Sequence, residues 1–118
     1  MTAEFGYGSS MPDTPAPAYA IRDNPKKHRF EADLGDGSFA IAEYRLRDGR
    51  ILFIHTEVPP AHSGRGIGTR LIQFGLAFTR ERGLKVVPIC PFFAAYIKDH
   101  PEEQDLVEPA YRKALGLA

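Results

Sequence analysis

The chain has 118 residues, 43% of them hydrophobic, and its 15 basic residues balance 15 acidic ones. That length fits one domain of about 100–150 residues, and the balanced charge argues against a nucleic-acid partner, which a basic stripe or high pI usually marks, while leaving room for a local basic patch. A lone cysteine, Cys90, excludes an intrachain disulfide framework and a Cys-rich zinc site, and no run approaches the roughly 18 apolar residues that span a bilayer.

Residues 1–22 read as a flexible N-terminal tail. Pro12, Pro15 and Pro17 sit among small residues after Gly6, Gly8, Ser9 and Ser10, with no apolar period of 2 or 3.6. The stretch has neither the basic nor the apolar region of a secretory signal. With no disulfides to form, the expected location is cytoplasmic. No membrane and no nucleic-acid partner is expected, and the oligomeric state is not readable.

Residues 23–118 are the expected domain. His28 to Leu34 alternates, with Phe30, Ala32 and Leu34 on one face and Arg29, Glu31 and Asp33 on the other, which predicts a half-buried strand. After the turn Gly35–Asp36–Gly37, residues 39–47 form a second strand that sends Ala40, Ala42, Tyr44 and Leu46 to one face and Glu43 and Arg45 to the other. Asp48–Gly49, between two strand patterns, signals a type I′ hairpin into a third strand, Ile51–Val58. Pro59–Pro60 ends that strand. A glycine-rich turn, residues 63–68, follows, and the period then changes. Ile67, Leu71, Phe74 and Phe78 recur at helical spacing, and Gly83 stands where a helix ends, so a helix is predicted over 66–82. Leu84–Ile89 is a short buried strand, weakened by Pro88. Pro91 opens a helix with Phe92, Phe93, Tyr96 and Ile97 on its apolar face. Residues 102–117 have weaker helical character, broken at Pro109. The predicted fold is α/β, a mixed and mostly antiparallel sheet in the order β-β-β-α-β-α, with one parallel pair across the helical crossover.

Four groups of residues carry candidate chemistry. The turn Gly64–Arg65–Gly66–Ile67–Gly68–Thr69 lies between a strand and a helix. Glycines there let amide groups approach a ligand, and a helix N-terminus adds unpaired donors that suit phosphate. Arg65 adds charge. The turn lacks the Gly-Lys-Ser/Thr of a P-loop, and its third glycine comes one place early for a dinucleotide fingerprint. A coenzyme A pyrophosphate loop and a plain structural turn remain. Cys90 ends a strand immediately before a helix, a position that favours a thiolate able to accept an acyl group; a buried inert thiol is the competing reading. His55 and Glu57, on one face of a strand end with Thr56 and Val58 on the other, are candidate general bases. Phe92, Phe93 and Tyr96 are candidates to line a ligand pocket, with core packing as the alternative. His55, His62, Cys90 and His100 follow no metal-ligand spacing, and no metal is expected.

Taken together, residues 55–101, HTEVPPAHSGRGIGTRLIQFGLAFTRERGLKVVPICPFFAAYIKDHP, resemble the small single-domain, YjdJ-like branch of the GNAT superfamily of N-acetyltransferases. The likeness rests on the HTEVP strand end, the glycine turn, the Gly-Leu-Lys-Val-Val-Pro strand and the Cys-Pro-Phe helix, and it extends over residues 24–108. It implies an acyl-CoA N-acyltransferase fold with an acetyl-CoA site at the splayed centre of the sheet. It further implies a 64–69 turn that cradles the pyrophosphate, and backbone groups at Val58 for the pantetheine arm. Cys90 becomes a candidate active-site residue. Ser63 stands where the superfamily usually has Arg or Gln, and the helices that commonly wall the acceptor site are missing. The implied activity is transfer of acetyl from acetyl-CoA to an undetermined small amine or peptide acceptor. It proceeds either directly, with His55 or Glu57 as base, or through acetylated Cys90. The alternative is a non-catalytic coenzyme A or acyl-CoA binding module.

Overall fold

The computed structural model describes residues 19–117. Five strands lie side by side in chain order: β1 (Ile21–Asn24), β2 (Arg29–Asp33), β3 (Phe39–Arg47), β4 (Arg50–Glu57) and β5 (Lys85–Pro88). The first three junctions are antiparallel and β4–β5 is parallel, as a strand–helix–strand crossover produces. Among the described residues three α-helices accompany them: α1 (Ile67–Glu81) in the crossover between β4 and β5, then α2 (Pro91–Asp99) and α3 (Pro109–Arg112) after β5. None is long and apolar enough to cross a membrane.

The β3–β4 hairpin has the backbone that its sequence demands. Asp48 and Gly49 take φ of 52° and 78°, the paired positive angles of a type I′ turn. Gly83 takes φ of 67° just past α1, a left-handed cap as expected.

The core lies between one face of the sheet and helices α1 and α2. Phe30, Tyr44 and Phe53 from the strands, Leu71 and Leu76 from α1, and Phe93 and Ile97 from α2 are all buried. Phe53 and Phe93 stack with centroids 3.9 Å apart and planes 7° from parallel. Helix α1 comes unusually close to the sheet at Gly75, where an added Cβ would stand 3.0 Å from the Phe53 ring and 3.3 Å from that of Phe30.

Four features differ from the sequence expectation. The sheet begins earlier, at Ile21, so Tyr19 to Arg22 belong to the folded domain and Tyr19 and Ile21 pack on the core; residues 1–18 of the expected tail lie outside the described residues. Glu31, expected on a solvent face, is 3% exposed. Arg29, Asn24 and Arg22 all hydrogen-bond its carboxylate, at 2.7, 3.0 and 3.3 Å. Burial pushes its pKa up, but these three donors outweigh burial and hold it below the usual carboxylate value. Leu46, expected inward, is 52% exposed because it stands at the end of β3, next to the hairpin. The C-terminal helical segment is interrupted as expected, but just ahead of Pro109, which opens α3 after a 3-10 turn over Pro101–Leu106.

Candidate active site

The site is built where β4 outruns its neighbour. Pairing of β4 with β5 stops at Phe53↔Pro88, because Pro88 has no amide to continue the ladder. The Cys90 amide makes one more hydrogen bond, to the Phe53 carbonyl at 2.8 Å. Pro91 then starts α2 and carries the chain away. Residues 54–57 of β4 therefore have β3 on one side and no strand on the other.

A bulge sets the direction of the side chains along this free edge. Glu43 pairs with His55 but Tyr44 pairs with Phe53, so Ile54 is an extra residue and the alternation changes phase there. Simple alternation from Ile51 and Phe53 would turn His55 inward. The bulge turns it outward instead. Thr56 is buried, and His55 and Glu57 share the opposite face with Nε2 and Oε1 3.8 Å apart. The expected partition of residues 55–58 between the faces holds.

Across from this edge stands the start of α1. Gly64 and Gly66 take φ of 79° and 75°, a backbone open to glycine at little cost, and nothing lies within 4 Å of where a Cβ would be. Arg70 is the first residue to bond back into the helix, to the Gly66 carbonyl at 3.1 Å. The Gly66 cap has no side chain to offer. The amides of Ile67, Gly68 and Thr69 thus have no partner within the helix, and the positive end of its dipole is uncovered.

The free edge and the helix start share a cleft of about 460 Å³ lined by Thr56, Glu57, Val58, Ser63, Gly66, Gly68, Thr69, Ile72 and Phe92. Because no strand closes the edge, residues from both faces of β4 reach it. Chemically, the cleft offers anion-binding amides at one wall, an extended backbone edge at the other, apolar cover from Ile72 and Phe92, and a carboxylate at Glu57.

Other expected site residues stand behind or beside this lining. Cys90 is 2% exposed, with Sγ 3.3 Å from Thr56 Oγ1, so one lining side chain separates the thiol from the cleft. The Ile67 side chain is in the core, leaving only its amide for a ligand. Gly64 shapes the turn without lining it. Arg65 donates to His62 Nδ1 at 3.3 Å, and His62 Nε2 donates to Asp36 Oδ2 at 2.9 Å, since a guanidinium only donates. Ser63 donates its hydroxyl to the Pro60 carbonyl at 3.0 Å. Tyr96 stacks on His100 and receives a hydrogen bond from Gln73 at 3.4 Å, beside the cleft. On α2 the aromatics divide: Phe93 is core, while Phe92, expected on the same apolar face, is 62% exposed and faces the cleft. Among the described residues no three His, Cys, Asp or Glu side chains converge as a metal site would need.

The Asp36–His62–Arg65 chain was not legible in the sequence. It ties the β2–β3 turn to the glycine turn. Asp36 is held well below the ordinary aspartate value, first by the Ser38 hydroxyl and then by His62 and the Ser38 amide.

The fold is a mixed α/β sheet whose parallel junction ends short beside an uncapped helix start. The sequence matches the GCN5-related N-acetyl-transferase family over residues 29–106. Human protein NATD1 is 42% identical over 88 residues, covering 73% of this chain and 78% of that protein. The Gallus gallus NATD1 protein is 34% identical over 88 residues, covering 73% and 80%. A GCN5-like protein of Staphylococcus aureus, solved in solution by NMR, superposes with a TM-score of 0.61 at 25% identity, covering 76% of this chain and 88% of its own. The chain belongs to the GCN5-related N-acetyltransferase family, whose members use acetyl-CoA as acetyl donor.

Proposed function

We propose that this chain transfers an acetyl group from acetyl-CoA to an amine, with the coenzyme pyrophosphate on the 64–69 turn. One observation carries the reading: three amides without helical partners and an unpaired strand edge face each other across a single cleft. The residues present fit the coenzyme. Amides from Ile67 to Thr69 suit the pyrophosphate, and open space over Gly64 and Gly66 lets it approach. Arg65 contributes a positive charge on the same turn. Ser63 brings a hydroxyl and no charge, so the backbone amides carry most of the anion binding. The edge at Val58 suits an amide-bearing arm, and Phe92 covers apolar parts, with Tyr96 behind it. When bound, the coenzyme supplies an acetyl thioester.

Glu57 is the residue placed to take the proton that the attacking amine must lose. It lines the cleft, and His55 lies against it on the face opposite α1. The amine thus approaches from the side bearing these two residues. The acceptor class is a small amine, a peptide N-terminus or a lysine.

A second route has its own supporting observation, the 3.3 Å contact that sets Cys90 one side chain from the cleft. There the Cys90 thiol gives up its proton. Its sulfur bonds the acetyl carbon while the thioester bond breaks and the coenzyme thiol leaves, and the acetyl group then passes to the amine. Replacing Cys90 with Ala abolishes turnover by this route and spares it when transfer is direct.

The test is release of free coenzyme thiol from acetyl-CoA across a panel of small amines, peptide N-termini and lysine peptides. Turnover with at least one acceptor is expected. Glu57→Gln should cut it about 10²–10⁴-fold with coenzyme affinity unchanged. Binding of the coenzyme with no turnover across the panel would point to an acyl-CoA-binding module. Absence of binding would overturn both readings.

A further inference from the structure

The hairpin at Asp48–Gly49 sets Arg47 directly opposite Arg50, and across the next junction Arg50 is directly opposite Lys85. Strand alternation sends all three to the face away from α1, since Ile51 and Val86, one step along, are buried in the core. Arg45 shares that face one row further on. Like charges directly opposite each other destabilise a sheet, and this row holds two such pairs.

The compensation within the chain is partial. Glu108 pairs with Arg50 at 3.3 Å. Lys85 donates to the Asp105 carbonyl at 3.1 Å and Arg45 to the Tyr44 carbonyl at 2.8 Å, both uncharged acceptors. Arg47 has no ion pair or hydrogen bond among the described residues. Beside it opens a cleft of about 360 Å³ with Leu52 and Val87 as its floor, Ala110 and Tyr111 of α3 as its wall, and the Arg50–Glu108 ion pair on its lining, so that the Glu108 carboxylate is answered by Arg50 and Arg47 is the cation left over. Tyr111 is 43% exposed there.

We propose that this second cleft binds a small organic anion with a flat apolar body, an aromatic carboxylate or phosphate. Arg47 takes the anionic group, as guanidinium geometry suits both. The body lies on Leu52 and Val87 against the Tyr111 ring. The volume is at the small end of ligand pockets and holds one or two rings. The cleft is separate from the candidate active site, since Arg50 and Glu57 lie at opposite ends of β4, about 20 Å apart at the usual strand rise.

The test is amide-resolved NMR titration of the intact chain with 2-naphthoate, 2-naphthyl phosphate and the neutral 2-naphthalenemethanol. Saturable shifts below about 1 mM centred on Leu52, Val87 and Tyr111 are expected with the anions. The neutral probe should bind at least about tenfold more weakly, and Arg47→Ala should weaken the anions by a similar factor. Whichever anion binds more tightly identifies the ligand as carboxylate or phosphate ester. Removing Arg47 also relieves its repulsion from Arg50, so the unliganded variant should melt no lower than the parent. No saturable shifts, shifts centred on Gly66, Gly68, Thr69 and Phe92 at the other cleft, equal binding of the neutral probe, or anion binding that survives Arg47→Ala would each overturn the proposal.

Discussion

Replacing Gly66 with Ala separates the role of the glycine turn in folding from its role in binding. Gly66 has φ of 75°, and nothing stands within 4 Å of an added Cβ. The folding cost is therefore backbone strain alone, about 1–2 kcal/mol for a left-handed residue with a Cβ. For a domain of this size that lowers the melting temperature by roughly 5–15 °C. Gly49 has φ of 78°, equally empty surroundings, and a place in the distant hairpin, so Gly49→Ala is the matched control. Both variants should lose similar stability in thermal denaturation followed by circular dichroism. Only Gly66→Ala adds a methyl where the coenzyme approaches the amides. Losing one charge-assisted hydrogen bond, about 1.5–3 kcal/mol, corresponds to roughly 10- to 100-fold weaker acetyl-CoA binding by calorimetry. Equal loss of affinity in both variants, or none in Gly66→Ala, would refute the reasoning.

Gly75→Val should lower the urea midpoint by about 1–3 kcal/mol of stability through overpacking, because the Phe53 and Phe30 rings that the new side chain meets are fully buried; an unchanged midpoint would mean that α1 can lift from the sheet at little cost. Acid should destabilise the fold through Asp36 and Glu31, whose folded-state pKa values both lie below their ordinary ones. A depressed carboxylate contributes stability that is fully present above its unfolded value, near 4, and is lost as pH falls toward the folded value. Urea denaturation as a function of pH should therefore show a falling limb below about pH 4–5, and Asp36→Asn should make it shallower; an identical slope in the variant would contradict the Asp36 assignment.

Much of the framework around the candidate site was legible because local chemistry dictates it. Asp48–Gly49 demands its turn wherever two strands flank it, and the stripe of Ile67, Leu71 and Phe78 demands burial on one side of a helix. Gly64 and Gly66 announce a turn that side chains would strain. What stayed hidden depends on partners distant in the chain. β1 is the polar tetrapeptide IRDN, and it has no pattern of its own; its place is fixed by pairing with β2 and by Arg22 and Asn24 reaching the buried Glu31. The Ile54 bulge leaves no mark in composition, yet it decides that His55 faces outward and Thr56 inward. Phe92 and Phe93 are equivalent as sequence, and only the docking angle of α2 gives one to the cleft and the other to the Phe53 ring. Val107 bridges to Val86 on the outer side of β5, a pairing that no signal in the weakly patterned C-terminal segment predicts.

The most direct test of the central claim is amide-resolved NMR of the intact chain titrated with acetyl-CoA. The account predicts saturable one-to-one binding with the largest shifts at Gly66, Ile67, Gly68 and Thr69, and a second group at Thr56 to Val58 along the free edge of β4. Binding that leaves these amides unmoved, or no binding at all, would contradict it.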